Sequence, residues 1–109
     1  MTIAYSQLAQ ARENSTNAVS IYSPGAGETV QAFLKIANNT AAVAAVRVFH
    51  DDDGTTYDET TALLWDIDIE PGQFLEIDKV FMNNSAGNLA YRSSVANALT
   101  ATVYGVVKS

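Results

Sequence analysis

The chain has 109 residues, enough for one domain with a single core, and its 48% hydrophobic content excludes a disordered segment. Its formal charge is −6, from twelve acidic and six basic residues. Arg12, Lys35, Arg47, Lys79, Arg92 and Lys108 are dispersed, whereas a phosphate-tracking surface needs clustered cations, so neither nucleic acid nor an anionic membrane is an expected partner.

Residues 1–17 form the least strand-like part and are expected to be an N-terminal arm, extended or partly helical, ahead of a domain at 18–109. Gln7 to Glu13 has the composition for one or two helical turns, and Asn14-Ser15-Thr16-Asn17 reads as a loop. Met1 to Gln10 lacks a basic segment followed by an apolar run, so no secretory signal is expected. No apolar run approaches the roughly 20 residues that cross a bilayer.

A short strand at Ala18–Ser23 is followed by the turn Pro24-Gly25-Ala26-Gly27. Thr29–Asn38 alternates cleanly, with Val30, Ala32, Leu34 and Ile36 on one face and Gln31, Phe33 and Lys35 on the other. Asn38-Asn39-Thr40 turns into Val43–His50, and a hairpin between these two strands is expected. In the second strand Ala44, Val46, Val48 and His50 oppose Ala45, Arg47 and Phe49.

After the acidic excursion, Leu63, Trp65, Ile67 and Ile69 are expected inward and Asp66, Asp68 and Glu70 outward. Beyond Pro71-Gly72 comes Phe74–Asp78, extended by Val80-Phe81-Met82 past a bulge near Lys79. Asn88–Ser93 and Leu99–Val107 complete the set. A weak echo joins Pro24-Gly25 and Asn38-Asn39-Thr40 to Pro71-Gly72 and Asn83-Asn84-Ser85, which would fit two similar halves, one per sheet. The expected fold is an all-β antiparallel sandwich, jelly-roll or Ig-like, of about seven to eight short strands.

Chemistry-bearing residues concentrate in one segment: ten of the twelve acidic residues lie between Asp51 and Asp78, with the only His just before them and the only Trp among them. Asp51, Asp53, Asp58 and Glu59 around Gly54 are the candidate oxygens for Ca²⁺, although an EF-hand register would put Phe49 at the first ligand position and Thr60 at the last. A solvated acidic turn, with no cofactor, is the favoured reading. His50 lacks a nucleophile-elbow sequence to serve, and Asp66 and Asp68 lack an apolar cleft to shift either pKa. Without cysteines there is neither disulfide nor thiol chemistry. No constellation for an enzyme emerges. Three Asn-x-Ser/Thr triplets, at Asn14, Asn38 and Asn83, read as turn chemistry.

One resemblance runs along nearly the whole chain. Leu8-Ala9-Gln10 leads into an Asn/Ser/Thr loop, then Val19-Ser20-Ile21-Tyr22-Ser23-Pro24-Gly25-Ala26-Gly27-Glu28-Thr29, then a strand ending Ile36-Ala37-Asn38-Asn39-Thr40 and an Ala-rich Val43–Phe49. This order is similar to small β-sandwich virion proteins of tailed bacteriophages. The resemblance implies a non-enzymatic capsid cement or decoration protein, made in the bacterial cytoplasm and located in the virion. Its implied partners are the major capsid protein and further copies of itself, with a homotrimer favoured. A tail, collar or fibre protein is the near alternative, and a carbohydrate- or receptor-binding module, with or without Ca²⁺, the distant one. The candidate interface residues are Leu8 and Arg12 of the arm and the outward aromatics Phe33, Phe49, Phe74 and Tyr104. The run Asp51 to Glu59 is longer and more acidic than that pattern, so its role is not inherited.

Overall fold

Runs of alternating apolar and polar residues become eight strands in the computed structural model, which describes residues 2–109; Met1, the first residue of the expected arm, lies outside them. They are β1 (Ile3–Arg12), β2 (Val19–Tyr22), β3 (Thr29–Asn38), β4 (Ala44–Asp51), β5 (Ala62–Ile69), β6 (Phe74–Met82), β7 (Asn88–Ser93) and β8 (Leu99–Lys108). Sheet A has the order β1-β8-β3-β6 and sheet B the order β2-β7-β4-β5, with all pairs antiparallel.

This order is that of a jelly roll rather than an Ig-like sandwich. Strands pair 1 with 8, 2 with 7, 3 with 6 and 4 with 5, as in one long hairpin folded over itself. Added pairing of β3 with β8 and of β4 with β7 closes the two sheets. Loops follow the same mirror relation. Glu13 accepts from the Asn97 amide at 2.8 Å, the Ser23 hydroxyl donates to Gly87 O at 2.6 Å, and Gly72 donates to Asn38 O at 2.8 Å. The segment 52–61 is the tip of the hairpin.

Two sequence expectations fail here. β3 and β4 do not form a hairpin, because the chain crosses between sheets at residues 39–43. The two halves of the chain are not one per sheet either, since each contributes two strands to both. A third correction concerns Gln7 to Glu13, which contains no helical turn. Ile3–Arg12 is instead the edge strand of sheet A, paired with β8 along its length.

The core lies between the sheets, where Val30, Ala32, Leu34 and Ile36 of β3 meet Ala44, Val46 and Val48 of β4 and Leu89 and Tyr91 of β7. Those are the faces the alternation assigns. The Tyr91 hydroxyl crosses the sandwich, accepting from the Glu13 amide at 3.0 Å and lying 3.3 Å from Ala11 O, which ties sheet B to the edge of sheet A. Burial raises its pKa. Where β1 passes β8, Gly105 leaves no room for a side chain: a Cβ there would sit 2.6 Å from Gln31 O and 2.8 Å from Leu8 Cδ1. The bulge expected near Lys79 is present, as a register shift between Ile77 and Val80 opposite Ala32 and Leu34.

Asn38 is the principal polar group inside. Fully buried, it donates through Nδ2 to Ala42 O and Ile69 O, both at 2.8 Å, and accepts at Oδ1 from Thr40 N at 3.0 Å and Thr40 Oγ1 at 2.6 Å. All four hydrogen-bonding positions of its amide are therefore used. Of the three Asn-x-Ser/Thr triplets, this one has its side chain closed off from solvent.

Candidate functional site

No single cleft gathers the sequence candidates; they divide between the outer faces of the two sheets. On sheet B, β5 departs from simple alternation. Its register against β4 shifts twice, between Val46 and Val48 and between Val48 and Phe49, and Asp66 takes a left-handed backbone conformation with φ 53°. Each shift inserts a residue and reverses which side the next side chain takes. Trp65 is therefore 38% exposed and does not plug the core, and Leu63 is likewise exposed; Ile67, opposite Val46 and ahead of the shifts, is exposed on the edge strand, and Ile69 is buried.

Phe49 corrects an interface assignment in the opposite sense. Alternation places it outside sheet B, beyond the main core cluster, yet it is only 2% exposed. The hairpin tip covers it, with the rings of Tyr57 and Trp65 centred 5.9 Å and 6.2 Å away. Phe49 is thus the centre of a small second core and is not available to a partner. Arg47 seals its flank, with its guanidinium 3.7 Å from the Trp65 ring centroid and bonded to both Asp66 carboxylate oxygens at 2.6 Å and 2.9 Å. That hydrogen bonding holds the Asp66 carboxyl below the usual carboxylate range and raises the Arg47 pKa.

The acidic tip uses its carboxylates on its own backbone. Asp51 accepts from Thr56 N at 2.8 Å and Asp53 N at 3.2 Å, and these amides lower its pKa. Asp58 accepts from the Thr60 hydroxyl at 2.6 Å and the Thr60 amide at 2.8 Å, with the same effect. Among the described residues, Asp51, Asp53, Asp58 and Glu59 do not come together as a group of three or more able to hold a cation. His50 Nε2 is buried without a hydrogen-bond partner among the described residues, 3.9 Å from Asp52 Oδ1.

The outer face of sheet A has a different chemistry. Strand register sets Tyr5, Val106, Gln31 and Phe81 in one row across the four strands. Gln7, Tyr104 and Phe33 occupy the next row, and Gln10, Thr102, Lys35 and Glu76 the one after. Phe33, Phe74 and Tyr104 are exposed, as expected of them, with the Lys35 ammonium 4.3 Å from the Phe74 ring centroid. Arg12 is exposed and its guanidinium Nε donates to Asn97 O at 2.8 Å, while Leu8 is half-buried against the core.

Sequence reasoning missed Tyr5 and Phe81, the most exposed aromatics of this face at 79% and 63%. Period-two counting from Phe74 would have found Phe81 only with the bulge taken into account. Tyr5 required reading β1 as a strand. Glu76 is the one carboxylate in these rows, with exposed Asp78 and Lys79 in the β6 bulge beside them, while sheet B's outer face carries Asp66 and Asp68 with Arg47 and Arg92, and the tip adds Asp52 and Asp53.

No family model and no curated protein matches the chain. A solved structure described as "Structure of infectious bursal disease virus Gx strain" is similar in fold, with a TM-score of 0.48 and 10% sequence identity over 97% of this chain. The chain spans 31% of that chain's length.

Proposed function

We propose that this protein is a non-enzymatic structural component of a virion: a cement or decoration subunit of a phage head. Its partners in this reading are the major capsid protein and further copies of itself, as a trimer. The observation that carries it is the division of the surface into an aromatic face, with Glu76 and Asp78 as its carboxylates, and an opposed face that ends in an anionic tip. Exposed aromatics contiguous across four strands are characteristic of a contact surface. The anionic side then faces solvent or a basic neighbour. The sequence resemblance to phage virion sandwiches supports the same reading, and jelly rolls serve as capsid domains as well as lectins. Fold class alone does not choose between those uses.

The test is to add the purified protein to phage heads prepared without it. Co-sedimentation and a raised head-disruption temperature are expected, with both lost in a folded Phe33→Glu/Tyr104→Glu variant. Failure of the wild-type protein to sediment with heads would overturn the proposal; recovery with isolated tails instead would favour the tail, collar or fibre assignment.

A second reading rests on Trp65, whose exposure and nearby Asp66 and Asp68 suit a carbohydrate-binding module. Arg47 already occupies one side of that ring at 3.7 Å, which reduces the surface left for stacking a sugar. Glycan-dependent Trp fluorescence tests this reading, and an EDTA-dependent melting shift tests its calcium form. No response to either sinks it.

A further inference from the structure

The outer face of sheet A carries an apolar groove, and β5 of sheet B carries an exposed apolar strip, the ridge. The groove, of about 210 Å³, lies on sheet A among Thr29, Gln31, Phe81, Val106 and Lys108. Its walls are largely apolar, and Lys108 supplies an ammonium. The ridge is formed on sheet B by exposed Leu63 and Trp65, with Asp66 and Asp68 on the same strand.

We propose that the groove face of one copy receives the ridge of a second copy, head to tail. This deepens the reading above, resting on its assignment of sheet A's outer face as a contact surface, and names the occupant. Charge selects a second copy in this orientation. The groove face carries Arg12, Lys35, Lys79 and Lys108 against Glu76 and Asp78, whereas the ridge face and tip carry Asp52, Asp53, Asp58, Glu59, Asp66 and Asp68 against Arg47 and Arg92. Pairing two groove faces opposes two net positive surfaces, and pairing two ridge faces opposes two net negative ones. Only the unlike pair is complementary in net charge.

Area is sufficient. Three strands of ten residues and one of nine span about 33 Å by 19 Å at standard spacings. Side-chain relief brings that to the order of the roughly 800 Å² per partner of a standard interface. A contact between unlike faces is heterologous, so it closes into a ring where successive copies turn about an axis and continues as a stack where they do not. A trimer assembled this way is a ring of three such contacts.

Two variants at exposed positions test the contact: Phe81→Glu/Lys108→Glu on the groove and Leu63→Lys/Asp68→Lys on the ridge. Their masses are measured by light scattering during size exclusion, with circular dichroism and melting confirming the fold. If either double variant melts early, Val106→Glu and Asp68→Lys alone replace them. The wild-type protein is expected to associate, with apparent affinity at least tenfold weaker at about 0.5 M than at about 0.05 M salt. Each variant alone is expected to be monomeric. An equimolar mixture is expected to restore a two-chain species, because each variant keeps the half that the other lacks.

A mixture that stays monomeric, or single variants that associate like wild type, overturns the contact while leaving self-association standing. A wild-type protein that is monomeric up to about 1 mM but still binds heads overturns the contact and leaves the head-binding reading intact.

Discussion

Asn38→Ala is the substitution with the most consequence for the fold. The Asn38 amide joins the crossover between the sheets to the end of β5, and its bond to Ile69 O is buried. Truncation strands that carbonyl away from water, at a cost of about 2 kcal/mol. The bonds to Ala42 O and to the two Thr40 groups lie nearer solvent, where water replaces part of each loss, and together they add about 1 kcal/mol. A total near 3 kcal/mol is a large share of the roughly 5–15 kcal/mol that stabilises a domain. At this chain length it lowers the melting temperature by about 15 °C.

Asn38→Asp sharpens the test. At neutral pH its carboxylate would face two carbonyl oxygens, both 2.8 Å from the native Nδ2. The variant is therefore expected to be at least as unstable as the alanine form. Its folded pKa would lie above the unfolded value near 3.9, so stability recovers as pH falls below the folded pKa and is lost as pH rises through it. Melting followed by circular dichroism between pH 7 and pH 5 should show Asn38→Asp gaining relative to wild type. A drop under about 4 °C for Asn38→Ala, or an Asn38→Asp form as stable as wild type at pH 7, would refute the reasoning.

Other outcomes can be checked alongside. Tyr91→Phe removes the acceptor of the Glu13 amide and should cost about 1–2 kcal/mol in urea denaturation; an unchanged midpoint would show that the cross-sandwich bond contributes nothing. Gly87→Ala would place a Cβ 2.6 Å from Asp52 O, so about 1–3 kcal/mol of destabilisation is expected in the same assay, and a neutral result would mean the tip moves freely. Asp51, Asp58 and Asp66 have depressed folded pKa values. Their contribution is complete above the unfolded value near 3.9 and lost as pH falls through the lower folded values. The wild-type melting temperature should thus decline below about pH 4, and a rise on acidification would contradict the sign.

Most of the strands were legible because a half-buried strand repeats every two residues. Thr29–Asn38 and Asn88–Ser93 have the bounds their alternation indicates. β1 was illegible for a local reason. Its inward positions are small, such as Ala4 and Ala11, and the register shift between Gln7 and Ala9 breaks the pattern. Trp65 was misplaced because an Asp in left-handed conformation carries no period-two signature. Phe49 was assigned correctly to the outer side, but its burial depends on a tip that returns over it. Pairing lay furthest from reach: the partners of β3 come from β6 and β8, and nothing within β3 names them. Of the proposed contact surface, Phe33, Phe74 and Tyr104 could be read from alternation, whereas the row through Tyr5 and Phe81 required the assembled sheet.

The mirrored pairing also bears on the order in which the chain acquires structure. Closing β4 on β5 spans only the tip, whereas joining β1 directly to β8 would confine almost the whole chain in one loop. Loop-closure entropy rises with the length enclosed, but each pair already formed shortens what the next must enclose. The expected sequence is a zipper that starts at Phe49 and Ala62 and finishes where Thr2 and Ser109 exchange hydrogen bonds at 3.1 Å and 2.9 Å. Folding kinetics of core truncations would show it, with high φ-values in β4 and β5 and values near zero in β1. The reverse gradient would exclude it. In a zipper of this kind the last strand to join is the first to leave, so breathing of the native state would concentrate at β1 and be visible as the earliest amide exchange in sheet A.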